Sequence, residues 1–220
     1  MDEYIKLILQ VISGICWTIV YIILIIRGFK DKTYGMPFYA LALNFMWELL
    51  YSINIEDFYS ITLQRIINVI WLIFDILIIY TYFKYGKKYF NQNSNTRDFY
   101  IWSTLGFTFA FFLQYAFIIE IGGTLGAAYA AFIQNFVMSI LFLDMLHKRG
   151  NLEGQSIYIA IFKTIGTLAP TILFTIILES PIVLVLGIGC FVYDFIYIIQ
   201  LRKQFIDKSL NPFTRKIIKK

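Results

Sequence analysis

The sequence predicts an all-α, polytopic membrane protein whose seven transmembrane helices form a single domain over residues 1–220. Three observations carry that expectation. Hydrophobic residues make up 59% of the chain and charged residues 15%, with a mean hydropathy of +0.70, outside the usual range of water-soluble domains. Apolar runs long enough to cross about 30 Å of hydrocarbon at 1.5 Å per residue use almost the whole chain. The cations collect in alternate connections between those runs, as the positive-inside rule requires.

The first run, 4–27, follows "MDEY", which is acidic where a signal peptide is basic, and it lacks a small-residue cleavage pattern, so it reads as a mature helix. The second, 36–54, is entered through Gly35-Met36-Pro37. The third spans 61–83, the fourth 99–119, the fifth 122–146, the sixth 157–178 and the seventh 181–201, which leaves no length for a soluble domain. The connections after helices one, three, five and seven, with the tail, hold 16 of the 19 lysines and arginines. The N-terminus is therefore expected outside and the C-terminus in the cytoplasm. The net charge of +5 needs no nucleic-acid partner, because the tail "LRKQFIDKSLNPFTRKIIKK" reads as a topology anchor against anionic membrane lipid. Cys16 and Cys190 both lie in apolar runs and read as packing residues, and the single histidine, His147, offers little material for a metal site or a catalytic triad.

An internal repeat is visible at one constant offset. "FDILIIYTYFK" in helix three lies over "YDFIYIIQLRK" in helix seven, matching Asp75 to Asp194, while "GMPFYALALN" and "GQSIYIAIFK" match Gly35 to Gly154, Tyr39 to Tyr158 and Asn44 to Lys163. The pattern predicts two parallel three-helix units joined by helix four, a 3 + 1 + 3 plan.

Polar side chains inside the spans carry the functional signal, since an ionisable group at mid-bilayer costs roughly 2.5–3.5 kcal/mol on the insertion scale. Leu41, Asn44, Glu48 and Tyr51 form one stripe of helix two. Gln64, Asn68, Trp71, Asp75 and Tyr82 do so on helix three, and Gly187, Cys190, Asp194 and Tyr197 on helix seven, while helix five adds Asn135 and Met138. Polar or small faces on four helices predict a lined cavity. By helical rise Glu48, Asp75 and Asp194 all lie near mid-membrane. Asp75 also has a purely structural reading, as a hydrogen-bonding partner of Asn68 or Lys163.

"YGMPFYALALNFMWELLY", with its Gly-Met-Pro entry, Asn44 and Trp47-Glu48, resembles the second helix of the integral-membrane terpene cyclases of fungal meroterpenoid and indole diterpene biosynthesis and their bacterial relatives. "YDFIY" matches their last helix, and "AFIQNFVMSILFLDML" and "GQSIYIAIFKTIGTLAPT" look similar to bacterial members, which points to a bacterial cell membrane. The resemblance implies that Glu48 and Asp194 are the acidic pair needed for cyclisation of a lipophilic prenylated substrate. Such chemistry is intelligible, because a low-dielectric cavity disfavours a carboxylate and leaves a Brønsted acid. The acid would protonate a terminal epoxide or alkene, double bonds would close onto the cation, and a proton would be lost to a base. Glu48 or Asp194 would donate, with the other in support.

Aromatic faces stabilise cations without quenching them, and Trp47, Tyr51, Trp71, Tyr115 and Tyr197 are the candidates. Asn44, Asp75 and Asn135 complete the expected lining. No aspartate-rich diphosphate and magnesium motif occurs, so no metal or cofactor is expected. A second reading shares the helix count: a small 3 + 1 + 3 transporter using its membrane acids to relay protons or hold a polar solute.

Overall fold

A computed structural model describes residues 2–53, 63–90 and 95–218. Seven α-helices follow in chain order: α1 (Glu3–Lys30), α2 (Phe38–Ile53), α3 (Leu63–Tyr85), α4 (Thr96–Ile121), α5 (Gly123–Arg149), α6 (Ile157–Leu178) and α7 (Pro181–Asp207). A short 3₁₀ turn, Gly86–Tyr89, follows α3. Six helices are long and apolar enough to cross a bilayer, and α2 is a shorter apolar helix of 16 residues. The expected ends of runs two and three, at 54 and 61, lie outside the described residues.

The helices run beyond their apolar segments where cations end them. Helix α1 continues to Lys30 and α5 to Arg149, because Lys and Arg suit the carbonyl-rich C-terminus of a helix and reach toward water at the membrane surface, while α7 continues to Asp207. Helix α4 begins three residues before the expected 99, since Asn95 and Asp98 form a reciprocal capping box. The α4–α5 corner depends on two glycines. Gly122 sits at φ +92°, and a Cβ on Gly126 would lie 2.4 Å from the Phe117 carbonyl oxygen.

Helix α1 packs on α3 and α6, α2 on α3, α4 and α5, α5 on α4 and α7, and α6 on α7. Exchanging α1 with α5, α2 with α6 and α3 with α7 maps α1–α3 onto α5–α7, α2–α3 onto α6–α7, and α1–α6 onto α2–α5. This is the arrangement a 3 + 1 + 3 repeat demands, with α4 added against α2 and α5.

The end of the bundle that carries the C-terminus is solid. Met36, Ile78, Phe99, Phe142, Leu146, Leu201 and Phe205 are buried there, with Phe38 stacked on Tyr82 at 4.8 Å. Loops close that end. The Arg149 guanidinium lies between the rings of Tyr34 and Tyr89, at 4.2 and 4.0 Å, and donates to the Tyr34 carbonyl. From the tail, Arg215 donates to the carbonyls of Gln155 and Leu152 and lies 3.4 Å from Asp31. With that end filled, the open volume of the bundle lies toward the other.

Candidate active site

A cavity of about 480 Å³ runs between the helices, from Tyr21, Asn44 and Met138 in the interior to Gln10, Gln64 and Arg65 near the end where α1 begins. Its size falls in the usual range of small-molecule sites. Five helices furnish its principal side chains: Trp17 from α1, Trp47, Glu48 and Tyr51 from α2, Asn68 and Trp71 from α3, Phe132 and Asn135 from α5, and Pro170 and Phe174 from α6.

The walls are held by hydrogen bonds that orient the rings. The Trp47 indole N–H donates to the Ala127 carbonyl at 3.1 Å, and its ring meets that of Tyr51 at 4.9 Å. The Trp71 N–H donates to Thr18 Oγ1 at 3.1 Å, while the Tyr21 ring stacks on Trp71. Pro170 deprives the Gly166 carbonyl of its helical donor, and Ser13 Oγ of α1 supplies one at 2.8 Å. The gap at Gly166 admits Trp17, whose indole would lie 3.0 Å from a Cβ there.

Glu48 is buried in this wall, and among the described residues its Oε2 has no hydrogen-bond partner. Asn44, one turn earlier on α2, donates through Nδ2 to the Tyr21 hydroxyl and, at 2.8 Å, to Asp75 Oδ2. Two amides extend the network: Gln134 Nε2 donates to Asn44 Oδ1 at 3.5 Å, and Gln114 Nε2 donates to Gln134 Oε1 at 2.7 Å and to the Leu43 carbonyl at 3.2 Å. Asn44, Glu48 and Asp75 thus share one buried cluster, and Asn44, Trp47, Glu48, Tyr51, Trp71 and Asn135 line the cavity.

Asp194 is elsewhere. Both of its carboxylate oxygens accept from Lys163 Nζ at 2.8 Å, Lys163 also donates to Ser139 Oγ at 2.6 Å, and the two ionic side chains are 0% and 1% exposed. This corrects the pairing expected for Asp75. Lys163 of α6 faces α7, its packing partner, so the lysine meets Asp194 there, and the partner of Asp75 is Asn44 rather than Asn68. Asp75 is fully buried behind the cavity wall.

Two of the expected aromatic residues are not in the lining. Tyr115 stands 38% exposed on α4, its ring stacked on Phe111, and Tyr197 is buried in the solid end, against Phe142 and donating to Gln155. Tyr21, Trp17, Gln114 and Gln134 are site residues that the stripes of helices two, three, five and seven did not include. The signal that singled out Asn135, an amide inside an apolar run, applies equally to both glutamines.

No solved structure matches the chain. Curated relatives do, all from fungi among those compared. The Pyr4-family terpene cyclase mfmH of Annulohypoxylon moriforme is 28% identical over 169 residues, covering 76% of this chain and 68% of the relative. Asnovolin H synthase nvfL of Aspergillus novofumigatus is 27% identical over 180 residues, 79% of this chain and 71% of the relative. Terpene cyclase pyr4 of Aspergillus fumigatus is 26% identical over 156 residues, 70% and 64% of the two chains. The matches thus cover about two thirds of the length of these relatives. The family of Pyr4-like transmembrane terpene cyclases matches residues 3–205, and with a cavity of acid and aromatic side chains inside an apolar helical bundle, this chain belongs to that family.

Proposed function

We propose that the cavity is a cyclisation chamber in which Glu48 protonates the terminal epoxide or alkene of a prenylated, meroterpenoid-type substrate. The observation that carries this reading is a buried carboxyl with a bare oxygen in the wall of an aromatic cavity. Proton transfer from Glu48 opens the epoxide or saturates one alkene carbon. Successive double bonds then attack the cation, and a proton returns to a base, so the product is an isomer of the substrate. The faces of Trp17, Tyr21, Trp47, Tyr51 and Trp71 stabilise the migrating charge by ~0.5–2 kcal/mol each and offer it no strong nucleophile. The names of the relatives, terpene cyclases and a synthase, support the same class of reaction. The transporter reading draws no support from the family.

The cavity also supplies a direction. Gln10 and Tyr21 on α1 are eleven residues apart, about 16 Å of helix. The prenyl terminus therefore enters first and meets Glu48, while the polar head of the substrate rests near Gln10, Gln64 and Arg65. Asp194, the second acid of the pair implied by resemblance, is outside the lining, so donation falls to Glu48 with Asp194 in support.

The cation distribution supports an N-terminus outside and a C-terminus in the cytoplasm, and the bacterial likeness of two segments supports a bacterial cell membrane. Tags at the two termini should be protected from opposite sides of the membrane, and protection from the same side refutes this orientation.

Membranes carrying the chain, incubated with prenylated quinols, indoles or their epoxides, should yield an isomer of unchanged mass. Glu48→Gln nearly preserves shape, removes the transferable proton, and should abolish the product while the protein still accumulates. Normal product from Glu48→Gln refutes the donor role.

A further inference from the structure

We infer that the side-chain oxygen of Asn135 is the dipole that faces the developing carbocation across the cavity from Glu48, and that Asp194 supports cyclisation by holding that amide in place through Lys163, Ser139 and Thr167. The inference rests on the reading of the cavity as a cyclisation chamber. It comes from a set of hydrogen bonds between α5, α6 and α7 that leads from the second acid of the implied pair to the cavity wall.

On α7 both oxygens of Asp194 accept from Lys163 Nζ at 2.8 Å, and on α5 Ser139 Oγ accepts from the same ammonium at 2.6 Å. Ser139 Oγ donates in turn to the carbonyl of Asn135, one turn earlier, at 3.0 Å. One turn beyond Lys163 on α6, Thr167 Oγ1 accepts from Asn135 Nδ2 at 3.1 Å. Two rungs therefore join α5 to α6, Ser139 to Lys163 and Asn135 to Thr167, and the ion pair ties both helices to α7. Of these residues Asn135 alone lines the cavity. Its Nδ2 is committed to Thr167, which sets the orientation of the amide, and among the described residues its Oδ1 has no hydrogen-bond partner.

The repeat sets the depth. The offset that matches Asp75 to Asp194 and Asn44 to Lys163 also matches Glu48 to Thr167, and counterparts in two parallel units related about the bundle axis lie at one depth on opposite sides of it. The amide held by Thr167 therefore stands near the level of Glu48. The lining agrees, since Glu48 is one turn from Asn44 and Asn135 one turn from Met138, both at the inner end. A carbocation offers no hydrogen bond but attracts the negative end of a fixed dipole. An amide oxygen without a donor is poorly satisfied while the substrate is neutral and gains as charge develops, so its contribution falls on the transition state. It is also a weaker nucleophile than a carboxylate. Lys163 lies one turn of α6 from Thr167, and its charge alone would oppose a cation in the cavity; Asp194 cancels that charge.

The test uses full-length, detergent-solubilised protein and two analogues of a prenylated quinol. One ends in a dimethylamino group, protonated at neutral pH, and the other in the isopropyl group of the same shape. Quenching of tryptophan fluorescence from the cavity wall gives the Kd of each. The parent should bind the ammonium analogue roughly tenfold or more tightly than its neutral isostere, as a hydrogen bond to a charged group provides. Asn135→Leu keeps the bulk and removes the dipole. It should abolish most of that preference while the Kd of the isostere changes less than threefold, whereas loosened packing would weaken both analogues alike. Ser139→Ala leaves the ion pair and the amide in place and cuts the rung between them, and should lower the preference at least threefold. An unchanged preference in Asn135→Leu overturns the role of the amide, and an unchanged preference in Ser139→Ala overturns the link to Asp194. Should Asn135→Leu fail to accumulate, Thr167→Val releases the amide without removing it, and an unchanged preference there overturns the inference equally. An active Glu48→Gln would instead overturn the proposed function, so the two failures are distinct.

Discussion

Replacing Lys163 by Met removes a buried cation and leaves its partner in place. The ammonium donates to both oxygens of Asp194 at 2.8 Å and to Ser139 Oγ at 2.6 Å, and neither ionic side chain has water access to compensate. Methionine nearly reproduces the length of the side chain, so the perturbation is one of charge and hydrogen bonding, with little cavity formed. Breaking a buried pair from one side costs about 3–5 kcal/mol, because the remaining charge is uncompensated. Each kcal/mol lowers the Tm of a domain of this size by roughly 2–4 °C, so the variant should melt on the order of 6–20 °C below the parent. Thermal unfolding of the detergent-solubilised protein, followed by tryptophan fluorescence, measures the shift. The double replacement Lys163→Met with Asp194→Leu should recover most of it, since two apolar side chains of similar bulk tolerate the site once neither charge remains. A Lys163→Met protein melting within about 2 °C of the parent would falsify the account of Asp194 as a residue neutralised by its partner.

The remaining predictions concern the cavity wall and the loop lock. Trp47→Phe should retain more turnover than Trp47→Leu, because Phe keeps a ring face toward the cation while both lose the hydrogen bond to Ala127; equal losses would count against ring electrostatics. Glu153, in the α5–α6 connection, is held below the usual carboxylate range by the Tyr89 hydroxyl and the Lys88 ammonium. A folded value depressed in this way means that the link stabilises fully above the ordinary glutamate range, about 4.3, and is lost as pH falls through the lower folded value. Glu153→Gln should therefore flatten the acid limb of the stability profile and, since the link is half exposed, change stability at neutral pH by less than about 1 kcal/mol. An unchanged acid limb in the variant would show that Glu153 has no such role.

The sequence by itself determined the spans and the polar face of α2. Hydrocarbon tolerates few polar atoms, so Asn44 and Glu48 are conspicuous in an apolar run, and helical spacing puts them one above the other whatever surrounds them. The repeat was legible for the same reason, since a constant offset between Asp75 and Asp194, and between Asn44 and Lys163, survives in the letters alone. Partnership was not. Both aspartates lie at similar depth on parallel helices, and local spacing contains nothing that tells which of them Lys163 will meet. That followed from α6 packing on α7 and α2 on α3. Tyr115 and Tyr51 were likewise indistinguishable as letters in a chain with 16 tyrosines, because an aromatic ring suits lipid, core and cavity alike. Only the rotation of α4 and α2 in the bundle exposed one ring and set the other in the cavity wall. The cavity itself is a tertiary fact, open toward the end where α1 begins because the other end is filled by Phe99, Phe142 and Phe205 and closed by the loops around Arg149.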